Sequence, residues 1–272
     1  YVVQWSSPEI FGANMTKTSE LEQMVAENLQ PNTLYEGTIW GTNPDTKANP
    51  SPFRLHTKMT RVNAILSKSG PDFFEYTWEK VEGADRYDFI GMPQFPGVDP
   101  FSKSTLSTSI RFEELIDGSL YLIEAQAVND DTTSVLSQDF VWTRLFEPNV
   151  VLSNIEDTTL TLLVEHVDKA TRIVGTINEM PIDVPLNASQ SQTEIVLGDL
   201  EQGSLQSIKI QAINDNCTSH FVEKSVMLLL STPGNISVLP SADSVTLEWS
   251  PILKASNYLL KIEGENSDPV TI

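Results

Sequence analysis

His56, His166 and His220 are the candidates for acid–base work in this chain, and Cys217 is its one thiol. Imidazole titrates near neutrality and can move a proton in either direction, while a thiolate is a strong nucleophile. Either chemistry needs a second group held within hydrogen-bond reach. The three histidines stand at unrelated places along the chain, and no spacing assembles a nucleophile–base pair from them. Cys217 follows Asn214-Asp215-Asn216, and an acidic setting opposes thiolate formation. The adjacent acids Glu113-Glu114 and Asp130-Asp131 read as solvated rims rather than an acid–base couple. The chain is therefore expected to be no enzyme and to carry no cofactor.

Two runs could offer oxygen to a cation, Asn129-Asp130-Asp131 and Asn214-Asp215-Asn216. Calcium takes six to eight oxygen ligands. Asn and Asp also favour tight turns, because their side chains bond to nearby backbone N–H groups. Both runs precede a last strand, where a turn is wanted, so turn is the reading and no metal site is expected. Asn14-Met15-Thr16, Asn187-Ala188-Ser189, Asn216-Cys217-Thr218 and Asn235-Ile236-Ser237 satisfy the rule for N-glycan acceptors. Asn187 and Asn216 fall in expected loops, and Asn235 lies near a joint. No Arg-Gly-Asp tripeptide occurs, which removes a simple integrin-ligand loop.

Acidic residues outnumber basic ones 37 to 17, for a formal net charge of −20. Nucleic acids and anionic membranes are bound through clustered Lys and Arg, so neither is an expected partner. The longest apolar run, Val226-Met227-Leu228-Leu229-Leu230, is far too short to span a bilayer, and no direct membrane contact is expected within these residues. A single cysteine allows no disulfide inside the chain. Its domains must be held by packing alone.

The elements that position these groups follow from a repeat. Tyr35, Tyr121 and Gln206 are spaced 86 and 85 residues apart, as are Leu29, Leu115 and Leu200, and Asn43, Asn129 and Asn214. Trp78, Val164 and Trp249 follow the same register, as do Tyr1, Tyr87, Ile173 and Tyr258. A period of this size is that of a small domain with its own core. The register divides the chain into a partial module at 1–58, whole modules at 59–144 and 145–231, and a partial one at 232–272. Partial modules at both ends mark the chain as a piece of a longer protein.

Within the modules, apolar and polar residues alternate as in half-buried strands. The first should hold a strand at Tyr1–Trp5, one at 24–29, one that follows Tyr35 and runs to Thr42, and one ending near Thr57. The stretch 21–29 also has helix-like apolar spacing, but the repeat aligns Met24, Ala26 and Leu29 with Ile110, Phe112 and Leu115, and strand is preferred. The second module should place strands near Val62–Ser67, Phe73–Val81, Tyr87–Met92, Ser109–Glu114, Leu120–Asn129 and Val135–Thr143. Along the fifth of these, Tyr121, Ile123, Ala125 and Ala127 should face the core and Leu122, Glu124 and Gln126 the solvent. The third repeats the pattern, with Val164 for the tryptophan and Gln206 for the tyrosine. The last should hold about three strands.

The frame resembles the fibronectin type III module over essentially the whole chain. The matching features are the inward Trp78 and Trp249, Tyr87 and Tyr258 nine residues later, and the corners Leu29/Tyr35 and Leu115/Tyr121. The resemblance implies an all-β chain of tandem immunoglobulin-like, seven-stranded β-sandwiches, two complete and two partial. It implies a structural core built on Trp78, Tyr87, Tyr121, Tyr35, Trp249 and Tyr258, with a looser third core where Val164 and Gln206 depart from the pattern. By function it implies a non-catalytic adhesion, receptor or scaffold array that binds protein partners. Such an array would sit outside the cell or on its surface, in a parent that is secreted or crosses the membrane once. Two other classes share the module: intracellular structural arrays of the muscle-filament kind, and spacers of extracellular enzymes.

Overall fold

The alternation read from the sequence becomes antiparallel ladders throughout. The computed structural model describes residues 1–10, 14–264 and 267–271, and among them every regular element is a strand. The chain divides into two compact units, Tyr1–Arg144 and Leu145–Ile272.

In the first unit β1 (Val2–Ser6), β2 (Met15–Thr18), β3 (Leu34–Trp40) and β4 (Ser51–His56) form one sheet, ordered β2-β1-β3-β4. A sandwich follows. Its three-stranded sheet joins β5 (Ile65–Ser69), β6 (Phe74–Thr77) and β9 (Ser109–Phe112). Its four-stranded sheet is ordered β11-β10-β7-β8, from β7 (Arg86–Pro93), β8 (Phe101–Thr105), β10 (Leu120–Val128) and β11 (Ser137–Trp142).

The second unit repeats the sandwich. One sheet orders β12 (Val150–Ile155), β13 (Leu160–Glu165) and β16 (Gln192–Leu197). The other is β15-β14-β17-β18, from β14 (Arg172–Ile177), β15 (Met180–Pro185), β17 (Leu205–Ile213) and β18 (Val222–Met227). Two hairpins complete the described chain: β19 (Ser237–Pro240) with β20 (Val245–Glu248), and β21 (Lys261–Gly264) with β22 (Ser267–Thr271).

β10 shows why this sequence makes a sandwich. Tyr121, Ile123, Ala125 and Ala127 are buried, and the residues between them are half-exposed. The buried set meets Phe74, Tyr76, Trp78, Phe89 and Phe112 from both sheets. Rings touch edge to face, with Phe74 5.7 Å from Tyr121 and Trp78 5.1 Å from Tyr87. Each such side chain contributes about 1.5–3 kcal/mol by leaving water. The third repeat fills the same volume with aliphatic residues. Leu160, Leu162, Val164, Ile173, Ile208 and Ile210 are all fully buried. Val164 in the tryptophan column thus leaves a closed aliphatic core.

The repeat extends to irregularities. The pairing slips between Leu66 and Lys68, and again between Leu152 and Asn154. At each slip a serine hydroxyl donates across the ladder, Ser67 to the Glu75 carbonyl at 2.8 Å and Ser153 to the Thr161 carbonyl at 3.2 Å. A bulge leaves backbone groups unpaired, and these hydroxyls bond to the partner strand beside it.

Four expectations are corrected. Residues 24–29 form no strand, and Asn28 has φ 61°. Their counterpart β9 is held by pairing with β6 alone, and the first sheet has no strand in the β6 register. Met24 and Leu29 still pack on Val3, Trp5 and Tyr35. Second, β2, β8 and β15, all edge strands, appear where no strand was expected. The polar residues of β2 and β8 (Met15-Thr16-Lys17-Thr18, for example) carry no alternation. Third, the last segment holds four strands rather than three. Fourth, Tyr258 is 40 % exposed and Trp249 only half-buried. Their rings meet at 5.2 Å and 63°, as Trp78 meets Tyr87, but no second described sheet closes over them.

Candidate functional site

Polar groups in this fold are arranged in repeated corners. Ile116 precedes β10, and its N–H donates to Tyr121 Oη at 3.0 Å. Thr143 Oγ1 donates to the Ile116 carbonyl at 2.6 Å and accepts from the Ser119 N–H at 2.9 Å. Both backbone groups of one residue are thus held by two side chains. The first sheet repeats this around Gln30. Its N–H donates to Tyr35 Oη at 2.9 Å, Thr57 Oγ1 donates to its carbonyl at 2.6 Å, and the Thr33 N–H donates to Thr57 Oγ1 at 2.9 Å. Burial pushes the Tyr121 hydroxyl above its ordinary pKa, with the Ile116 N–H pulling the other way.

The threonine column, Thr57 and Thr143, was missed by the sequence reading although it keeps the same 86-residue spacing. Its third member is Leu228, and tyrosine and threonine are lost together. Gln206 stays buried there, donating to Ser204 Oγ at 2.6 Å and accepting from Asn178 Nδ2. Thr143→Val keeps shape while removing the hydroxyl that donates to the Ile116 carbonyl and accepts from the Ser119 N–H. Losing the bonds of this fully buried hydroxyl costs about 1–3 kcal/mol. The urea midpoint of the variant should fall with an unchanged slope.

A second kind of corner follows each Trp-to-Tyr spacing. The Val81 N–H donates to Tyr87 Oη at 2.9 Å, and the Ile252 N–H donates to Tyr258 Oη at 2.8 Å.

The asparagine column builds turns. Asn43 Oδ1 accepts from the Asp45 and Thr46 N–H groups at 3.0 and 2.7 Å. Asn129 Oδ1 accepts from Asp131 and Thr132 at 3.1 and 2.8 Å. Asn214 Oδ1 accepts from Asn216 and Cys217, both at 2.9 Å. The amide nitrogens reach outward, Asn129 Nδ2 to the Gly83 carbonyl at 2.9 Å and Asn214 Nδ2 to the Lys169 carbonyl at 3.1 Å. An oxygen that accepts two N–H groups is turn chemistry. Among the described residues no group of three or more His, Cys, Asp or Glu is placed to hold a metal ion.

The titratable candidates stay apart. His166 Nε2 shares a hydrogen bond with Thr193 Oγ1 at 2.7 Å, and His220 Nδ1 lies 3.7 Å from Glu147 Oε1. His56 is half-buried on β4. Cys217 is half-buried, with Sγ 3.4 Å from Asn214 Oδ1.

All four acceptor asparagines are exposed. Asn14 precedes β2. Asn187 follows β15, its Oδ1 accepting from the Ser189 N–H and Oγ at 3.1 and 2.8 Å. Asn216 sits at the tip of the Asn214 turn. Asn235 has φ 54°, and its Nδ2 donates to Ser250 Oγ at 3.0 Å. No helix among the described residues is long and apolar enough to cross a membrane.

Both sandwiches join a three-stranded to a four-stranded sheet, the first holds tyrosine corners, and neither contains a disulfide. This is the fibronectin type III fold that the sequence resembles. No family model and no curated protein matches the chain. Solved structures do. A two-domain fibronectin type III segment of chicken tenascin is 18 % identical, over 62 % of this chain and 98 % of that one, at TM-score 0.40. The fibronectin domain of human collagen α-1(XX) is 18 % identical, over 29 % of this chain and 79 % of that one, at TM-score 0.28. Three fibronectin domains of chicken contactin are 13 % identical, over 84 % of this chain and 91 % of theirs, at TM-score 0.30.

Proposed function

We propose that the chain is a tandem array of fibronectin type III modules, at 1–58, 59–144, 145–231 and 232–272, that binds protein partners through its surfaces and catalyses nothing. The observation that carries this reading is where the polar chemistry goes. The repeated tyrosines, threonines and asparagines are engaged with backbone in corners and turns. The histidines are scattered. What the fold offers a partner is rigid, repeated sheet surface on a strongly acidic chain.

The proposed place is outside the cell or on its surface. Asn14, Asn187, Asn216 and Asn235 are exposed, as an acceptor must be. A glycan on Asn235 has to break the bond to Ser250, so Asn14, Asn187 and Asn216 are the better acceptors. The test is the intact mass of the chain from its native source, before and after enzymatic removal of N-glycans. A drop of one or more glycan masses is expected. An unchanged mass, with Cys217 alkylated without prior reduction, would move the chain to an intracellular structural array.

A further inference from the structure

The outer face of the sheet β11-β10-β7-β8 carries apolar Ile90, Leu122 and Phe140 where the other two four-stranded sheets carry polar residues, while at the positions of Leu120 and Trp142 the third repeat also holds an apolar pair, Leu205 and Met227. Residues directly opposite one another across a ladder point to the same side. Leu122 stands opposite Phe140 on β11 and Met92 on β7, Leu120 stands opposite Trp142, and Glu124 stands opposite Ile90. Tyr121 and Ile123 face the core, so these residues face out. Phe140 is 63 % exposed, Ile90 43 % and Trp142 36 %.

The other two sheets serve as internal controls. In the first, the positions of Ile90, Leu122 and Phe140 hold Gln4, Glu36 and Arg54, and the last two pair at 3.3 Å. In the sheet β15-β14-β17-β18 they hold Thr176, Ser207 and Ser225, with the two serines opposite one another. The fold therefore asks for no apolar residue at these points, and two sheets of three avoid one. A contiguous apolar patch on a sheet's wet face marks a contact surface.

The charges beside the patch say what suits it. Above it on the same face lie Asp88, Glu124 and Arg86, the last paired with Asp88, so the flank carries one net negative charge. Asp88 accepts from Arg86 Nε at 3.1 Å and Ser104 Oγ at 2.7 Å, and Glu124 accepts from Gln138 Nε2 at 2.7 Å. An apolar centre with an acidic flank fits a partner carrying an aromatic or aliphatic anchor beside Lys or Arg. A second copy fits poorly, because each chain carries −20.

We infer that the face formed by Ile90, Met92, Leu120, Leu122, Phe140 and Trp142 is the docking surface for a protein partner with an apolar anchor flanked by basic residues. This rests on the protein-binding reading above and names its surface. The test selects a random displayed dodecapeptide library on the whole chain. Enriched peptides are then titrated against the chain and the variant I90T/L122S/F140S, which places the third repeat's residues on the second. Peptides should enrich for an aromatic or aliphatic anchor next to Lys or Arg. They should bind the variant about thirtyfold or more weakly, as anchor truncation does, while circular dichroism and melting stay unchanged. Asp88→Lys with Glu124→Lys should weaken the same peptides and reduce their sensitivity to salt. Peptides that bind chain and variant alike would overturn this surface and leave the protein-binding reading standing. Failure to enrich any peptide would overturn both. Self-association in sedimentation that the triple variant abolishes would make the occupant a second copy and sink the basic partner.

Discussion

Trp78→Ala is expected to destabilise the first sandwich by about 3–5 kcal/mol, the range for removing a large buried ring. Trp78 is 6 % exposed, with ring centroids 5.1 Å from Tyr87 and 4.9 Å from Phe89. Trp78 follows β6 of one sheet while Tyr87 and Phe89 lie on β7 of the other, so the ring joins the two sheets. Its indole Nε1 is buried without a hydrogen-bond partner. Trp78→Phe removes that orphan donor with much of the ring volume kept, so it should cost only about 1–2 kcal/mol. Hydrogen exchange is the measurement, since it reads one region of a multidomain chain at a time. Exchange of β10 amides should quicken about a hundredfold or more in Trp78→Ala, at roughly tenfold per 1.4 kcal/mol. The chain supplies its own control. Trp249→Ala removes the same ring from a half-covered setting and should alter β20 exchange far less. Equal effects at both sites would mean that the Trp–Tyr contact itself, not the sandwich around it, holds the energy.

That contrast also shows what was legible in the sequence. Trp78 and Trp249 look identical along the chain, each with a tyrosine nine residues on, and both pairs do form. Burial depends on a second sheet, which a local pattern cannot report. The same reason explains residues 24–29. Met24 and Leu29 still turn toward Trp5 while Ala26 is exposed, because a strand needs a ladder partner as well as a pattern. β2 and β8 were invisible for the opposite reason. They are edge strands held by backbone bonds, and their polar sequences leave no period to read. The threonine corner was readable in principle. Thr57 and Thr143 share the spacing of the tyrosines, and their counterpart is missing where the tyrosine is missing. Only the bonds to Gln30 and Ile116 say why those two columns vary together. The outer apolar face was hidden because each of its residues is an ordinary strand residue. It becomes visible once the ladder register places Leu122 beside Phe140 and the repeat sets Ser207 and Ser225 against them.

Above about pH 10, the first sandwich is expected to lose stability steeply, with Tyr76 as the principal cause. Tyr76 is 1 % exposed, and its Oη donates to Asp139 Oδ2 at 2.9 Å. Burial first, and then the bond to Asp139 and its negative charge, raise the hydroxyl far above its ordinary value. Tyr121 is raised in the same direction by burial. The sign follows from linkage. In the unfolded chain a tyrosine releases its proton near its ordinary pKa, whereas the folded chain keeps Tyr76 protonated well beyond it. The stability this protonated group supports is whole below about pH 10 and drains away as pH climbs toward the folded pKa. Tyrosinate absorbance and far-ultraviolet circular dichroism followed together should show a late, cooperative absorbance step that coincides with loss of sheet. Tyr76→Phe separates the two roles of the hydroxyl. At neutral pH it forfeits the bond to Asp139, about 1–2 kcal/mol. In alkali it removes the group whose ionisation drives unfolding, so the loss of stability per pH step should shrink. An alkaline slope that Tyr76→Phe leaves untouched would assign the unfolding to Tyr121 or to the self-repulsion of a chain already at −20.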